Sequence, residues 1–161
     1  MDSSIKQAQK QGERYAVKAT LVTELGLALL FFTLLLLVTH SVQAFWDIIT
    51  YLGAVNVAVF MAASLLFAYL VGRNAGVKIL VKKKRYAWVG LVSGLKVVFF
   101  STLVCVATTL LVQAAMGPLE LGWLVHFIMK PFAWLALLCL VPVALAGIWY
   151  GYTLRKSTER P

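Results

Sequence analysis

The chain has 161 residues, 61% hydrophobic and 13% charged, with a net charge of +9. A soluble domain of this size carries about 45–50% apolar and about 25% charged residues, so a soluble fold is excluded and one bilayer-embedded domain is expected. The positive charge in a soluble protein would suggest nucleic acid, but its distribution along this chain argues against that partner.

Residues 1–18 are a polar, basic lead. Residues 19–39 form the first apolar run, long enough at ~1.5 Å per residue to cross a ~30 Å hydrocarbon layer as a helix. Val42-Gln43-Ala44 has small residues at signal-peptidase spacing. The preceding run exceeds the 7–15 apolar residues of a secretory leader, roughly counted, so retention of the first span is expected. The second run is 48–72, the third 86–115 and the fourth 132–154. Between the last two lies GPLELGWLVHFIMKP, residues 117–131, which suits a short interfacial helix. The fold expected is therefore all-α, a bundle of four transmembrane helices, since backbone in lipid must satisfy its own hydrogen bonds. The long unbroken apolar runs lack the alternation of a β-barrel.

Lys and Arg set the orientation. Lys6, Lys10, Arg14 and Lys18 precede the first span; Arg73, Lys78, Lys82, Lys83, Lys84 and Arg85 separate the second and third; Arg155, Lys156 and Arg160 follow the fourth. The opposite side carries only Lys130. Both termini and the 73–85 loop are thus expected in the cytoplasm, with a cytosolic tail from 155 to 161. The loop is first a topology determinant, and Lys82, Lys83, Lys84 and Arg85 also suit anionic lipid headgroups, at about 1 kcal/mol each. It is too short and too close to the bilayer for nucleic acid. Trp46, Trp123 and Trp134 on one side, and Trp88, Trp149, Tyr150 and Tyr152 on the other, form the expected aromatic belts.

Inside the spans, polar residues are the functional candidates. Glu24 lies in the first span, where a central charge costs about 2.5–3.5 kcal/mol and each Leu or Phe returns about 0.3–0.6 kcal/mol. Lys96 lies in the third span; it can snorkel to the cytoplasmic side, pair with Glu24, or serve a substrate. Asn56 is placed for an interhelical hydrogen bond, with Thr108, Thr109 and Gln113 at similar depth. Gly90, Gly94 and Ser101 mark a small-residue face on the third span, and Gly147 and Gly151 one on the fourth. Such faces let helices approach closely, inside one bundle or across a dimer seam. Cys105 and Cys139 fall in apolar runs without ligand spacing. Neither a metal, a cofactor nor a catalytic set is expected.

A single glutamate in the first of four spans resembles, in outline, the small multidrug transporters. The longer connections and the polar lead depart from that family, as do the aromatic and glycine patterns of the later spans, so its function is not carried over. The expected function is that of a non-enzymatic accessory, assembly or immunity-type subunit in a bacterial inner membrane. It would act through helix–helix contacts with itself or another membrane protein. The alternative is a small oligomeric transporter or channel using Glu24 and Lys96.

Overall fold

A computed structural model of the chain describes residues 2–43, 46, 47, 50, 54–116, 122 and 130–157. Among the described residues the protein is all-helical, with four long helices. These are α1 (Asp2–Thr39), α2 (Ala54–Gly76), α3 (Tyr86–Met116) and α4 (Lys130–Lys156). A π-helical turn, Val77–Val81, extends α2. Three of the four helices, α1, α2 with its π turn, and α3, are long and apolar enough to cross a membrane. The proposed interfacial helix at 117–131 lies outside the described residues, apart from Gly122 and the start of α4.

The polar lead does not stop where the apolar run begins. It is continuous with α1, which runs 38 residues from Asp2. The reason is on its inner face, where Ala8, Gly12, Ala16 and Ala19 bury against neighbours while Lys6, Lys10, Arg14 and Lys18 stay exposed. His40, in the left-handed region at φ 51°, ends the helix, its N–H donating to Leu36 O at 3.0 Å. At the other turn, Lys83 takes φ 48° and reverses the chain between the π turn and α3.

Two close pairs make the architecture. α1 lies along α2, with Gly12 against Gly72 and Gly76: a Cβ on Gly12 would come 2.7 Å from Gly76 Cα. α3 lies along α4, with Gly90 against Gly147. The pairs then join, α2 to α3 and α4 to α1. Phe67 stacks on Phe100 across the first junction at 5.3 Å between ring centres. At the second, the Tyr150 hydroxyl lies 3.4 Å from both Gly12 O and Gly72 O. It can donate to either carbonyl, tying α4 to the first pair.

Packing is concentrated at the end that carries both termini. Ala8, Ala16, Ala75, Ile79, Val89, Tyr150 and Leu154 are buried there, Leu154 fully. Beyond Ala19, no described residue of α1 is buried, and Val38 near its far end is 79% exposed. Leu25, Leu29, Leu37 and Leu111 are similarly bare. Apolar side chains that point outward along whole helices need lipid as their solvent.

Candidate functional site

All four helices contribute to one cavity of about 110 Å³, near the middle of the molecule. Its walls are mostly apolar and include Leu27, Phe60, Val97 and Val143. Small residues make the room: Ala16 and Ala19 on α1, Ala68 and Gly72 on α2, Gly94 on α3, Ala146 and Gly147 on α4. The room suits one small molecule, and Glu24 and Ser64 are where a polar group of it would be held.

Glu24 is the acidic group in the lining. Its Oε1 is hydrogen-bonded to the Ser64 hydroxyl of α2. Its Oε2 is buried and has no hydrogen-bond partner among the described residues. Ser64 also lies 2.8 Å from the Met61 carbonyl, which its hydroxyl can serve as donor. A serine has one proton, so it cannot satisfy both oxygens at once. A protonated Glu24 can donate to Ser64, which then donates to Met61. An ionised Glu24 takes the serine proton instead. The pair therefore accommodates both forms of the carboxyl group. Thr23, also in the lining, donates its own proton to Ala19 O at 2.7 Å. Tyr150 borders the cavity from the side of the termini.

Lys96 is not part of this arrangement. It is exposed on α3 and does not line the cavity, while Glu24 faces inward to Ser64. The Glu24–Lys96 ion pair considered from sequence is absent among the described residues. The physical reason is angular: Gly94 and Val97 turn one face of α3 inward, and Lys96 sits on the opposite face.

Asn56 has a different partner. Thr109 Oγ1 on α3 lies 3.2 Å from its Oδ1 and 2.8 Å from the Cys105 carbonyl of its own helix, so one hydroxyl proton serves the two acceptors; Cys105 Sγ lies 3.6 Å from the Asn56 backbone oxygen. Among the described residues, Thr108 bonds only within its own helix, to Val104 O at 2.9 Å. Asn56 thus joins α2 to α3 in the loosely packed half. Replacing it by Ala is expected to cost about 0.6–2 kcal/mol of unfolding stability. Thermal melts of the purified protein in detergent, with Thr109→Val and the double variant alongside, check this. Additive losses from the two changes would mean the bond carries no energy.

The predicted glycines all lie inside the chain. A Cβ on Gly90 would overlap the Gly147 carbonyl, one on Gly151 the Tyr86 carbonyl, and one on Gly94 would come 3.1 Å from Val143 O. Ser101 is fully buried and bonds back to Val97 O at 2.7 Å. On α3 and α4 these small residues face each other within one molecule.

Lys82, Lys83, Lys84 and Arg85 are exposed in the turn before α3. Close by, Arg155 lies over the Tyr86 ring at 5.5 Å and Lys156 over the Tyr152 ring at 5.8 Å. Arg73 pairs with Glu13 of α1 at 3.9 Å and donates to Gln9 Oε1 at 3.4 Å.

Sequence reasoning missed Ser64, Tyr150 as an interhelical donor, and the seam of Gly12, Gly72 and Gly76. The seam did leave a signal: Ala8, Gly12 and Ala16 repeat at four, as do Ala68, Gly72 and Gly76. It was obscured because half of it falls in a segment that reads as polar. Ser64 carried no such signal, since its role depends on which helix lies opposite.

No group of three His, Cys, Asp or Glu side chains able to hold a metal occurs among the described residues. Comparison of the chain with family models, with curated proteins and with solved structures finds no match, so its function is argued from these features alone.

Proposed function

We propose that this chain is a four-span protein of a bacterial inner membrane, with both termini in the cytoplasm, that acts as a non-enzymatic accessory or assembly subunit of another membrane protein. Helix length supports the placement. Lys18 and Lys96 each lie six residues past a seam glycine, Gly12 and Gly90, hence about 9 Å along their helices. From there α1 continues to Thr39 and α3 to Met116, each about 30 Å, the thickness of the hydrocarbon layer. A boundary close to Lys18 keeps Arg14, Lys18 and Arg73 out of lipid, where each would cost about 2.5–3.5 kcal/mol at mid-depth, and Lys96 is within snorkelling reach of it.

One observation carries the functional reading. The best-packed part of the molecule is the collar of helix ends on the side of the termini, and its rim is basic and exposed. A protein that only filled lipid would have no need to extend and fasten four helix ends there. Gentle extraction from native membranes, with the mass of the intact complex measured, tests the proposal. A foreign protein at fixed stoichiometry is the expected result. A homo-oligomer or monomer free of other proteins would overturn it.

A second reading, a small transporter or channel, is favoured by a single feature, the Glu24 oxygen that has no partner among the described residues and borders the cavity. A small cation or a proton is the ligand such an oxygen suits. The reading requires that flux depend on Glu24, and that Lys96, exposed on α3, be dispensable for it.

A further inference from the structure

We propose that the cavity beside Glu24 is a binding site for a small uncharged molecule, an apolar body about the size of one aromatic ring that carries a single hydroxyl or N–H donor. The proposal does not depend on the accessory reading, and it differs from the transport reading in the charge of the ligand.

Size and wall chemistry define the body. The cavity measures about 110 Å³. An apolar protein cavity of about 150 Å³ takes benzene, so a single ring or a short alkyl chain is the scale of occupant that fits here. The wall exposes little polar surface, and Leu27, Phe60, Val71, Val97, Val98 and Val143 contribute apolar side chains to it. A buried water makes two to four hydrogen bonds, so such a wall holds water poorly. Side chains that line a cavity lack neighbours on that side, and an apolar body of matching shape supplies the contacts. Because all four helices contribute, one ligand touches both close pairs at once.

One oxygen defines the donor. Glu24 Oε1 meets the Ser64 hydroxyl, while Oε2 is buried with no hydrogen-bond partner among the described residues. A buried acceptor in that state carries its full desolvation cost. The terminal torsion of a glutamate is broad, so a small turn of the carboxyl group brings this oxygen to a donor in the cavity. The hydroxyl protons beside it are committed, that of Ser64 to Glu24 or Met61 O and that of Thr23 to Ala19 O. Tyr150, the other titratable group in the lining, points its hydroxyl at Gly12 O and Gly72 O. A single donor on the ligand is what the leftover acceptor calls for. An ammonium brings three N–H donors and a charge, and a wall with so little polar surface leaves some of them unpaired. The hydroxyl of a phenol or a short alcohol fits the count.

The test is fluorine NMR of 4-fluorophenol with the full chain in lipid nanodiscs, read against empty nanodiscs. Two comparison probes are 4-fluorotoluene, which has a similar body without the donor, and 4-fluorobenzylammonium, which carries a charge. The expected result is a saturable bound signal for the phenol, with the toluene about tenfold weaker. Glu24→Leu should erase that difference, with melting curves reporting that the variant is folded. Glu24→Gln keeps an oxygen acceptor and should hold the phenol within about threefold of the parent, whereas the transport reading ties function to the charge that this change removes. Should the leucine variant fail to fold, Ala146→Leu, which fills the room from α4, takes its place and should abolish both signals. A phenol signal no greater than that of empty nanodiscs would overturn the proposal, as would equal binding of phenol and toluene to the parent protein. Persistence of the phenol signal in Ala146→Leu would do the same, by placing the ligand elsewhere. Tighter binding of the ammonium, or a loss in Glu24→Gln as complete as in Glu24→Leu, would replace the uncharged ligand with a cation. None of these outcomes bears on whether a foreign protein co-extracts, so the accessory reading stands or falls separately.

Discussion

Gly12→Leu is expected to separate α1 from α2 and to cost the protein a large share of its stability. The substituted side chain would start inside the Gly72 carbonyl and against Gly76 Cα, so no rotamer avoids backbone. Added bulk in a packed core costs about 1–3 kcal/mol and occasionally more, and a backbone-to-backbone seam belongs at the upper end because neither wall can turn aside. The loss should also loosen α4, since Tyr150 reaches the carbonyls of Gly12 and Gly72 together. Gly26→Leu is the matched control: the same helix, fourteen residues on, with no atom within 4 Å of a Cβ there. It should be neutral or slightly stabilising, because glycine is worth about 1 kcal/mol less than a good helix former. Unfolding of both variants in detergent, followed by circular dichroism, makes the comparison. Equal losses at the two positions would show that α1 and α2 are not in contact at Gly12.

Replacing Glu24 has two expected consequences that separate the two functional readings. Glu24→Leu should leave the protein as stable as before or more so, by about 1–3 kcal/mol, because a buried oxygen without a partner no longer has to be desolvated. Ser64 tolerates the change, since its hydroxyl turns to Met61 O. Melting curves test this, and a marked destabilisation would mean that the Glu24–Ser64 bond holds α1 to α2. Glu24→Gln keeps the shape and removes the charge. On the accessory reading, the mass of the extracted complex is unchanged by it. On the transport reading, dye-reported proton or small-cation flux into proteoliposomes falls to the background of empty vesicles. Parent protein that shows no flux ends the transport reading; Gln protein that loses its partner ends the separation of cavity from interface.

Much of the site was visible in part before the fold was. Glu24, Asn56 and Lys96 stand out because ionisable and amide groups are costly in an apolar run, and cost can be read without knowing neighbours. Their partners could not be read. Asn56 had three candidates at the right depth; the packing of α2 on α3 brings Thr109 to it, Thr108 turns back to its own helix, and the Gln113 side chain lies outside the described residues. Glu24 and Lys96 have opposite charges, yet one faces the cavity and the other faces out. The glycines of α3 and α4 were recognisable as a contact surface, but a helix face does not reveal whether its partner is the next helix or another molecule.

The sequence by itself determined that this is a helical chain with long apolar segments, and it marked the residues that break their pattern. These are properties of single helices: length against bilayer thickness, the cost of a charge in lipid, the spacing of small side chains. Only the tertiary structure decided that the basic lead continues into α1 as a packed helix, that the seam of Gly12, Gly72 and Gly76 rivals the predicted one, and that Glu24 bonds to Ser64 beside a cavity. Each of those depends on which helix lies opposite and at what height. That choice is made by backbones approaching wherever side chains are absent, and it involves residues far apart in the chain.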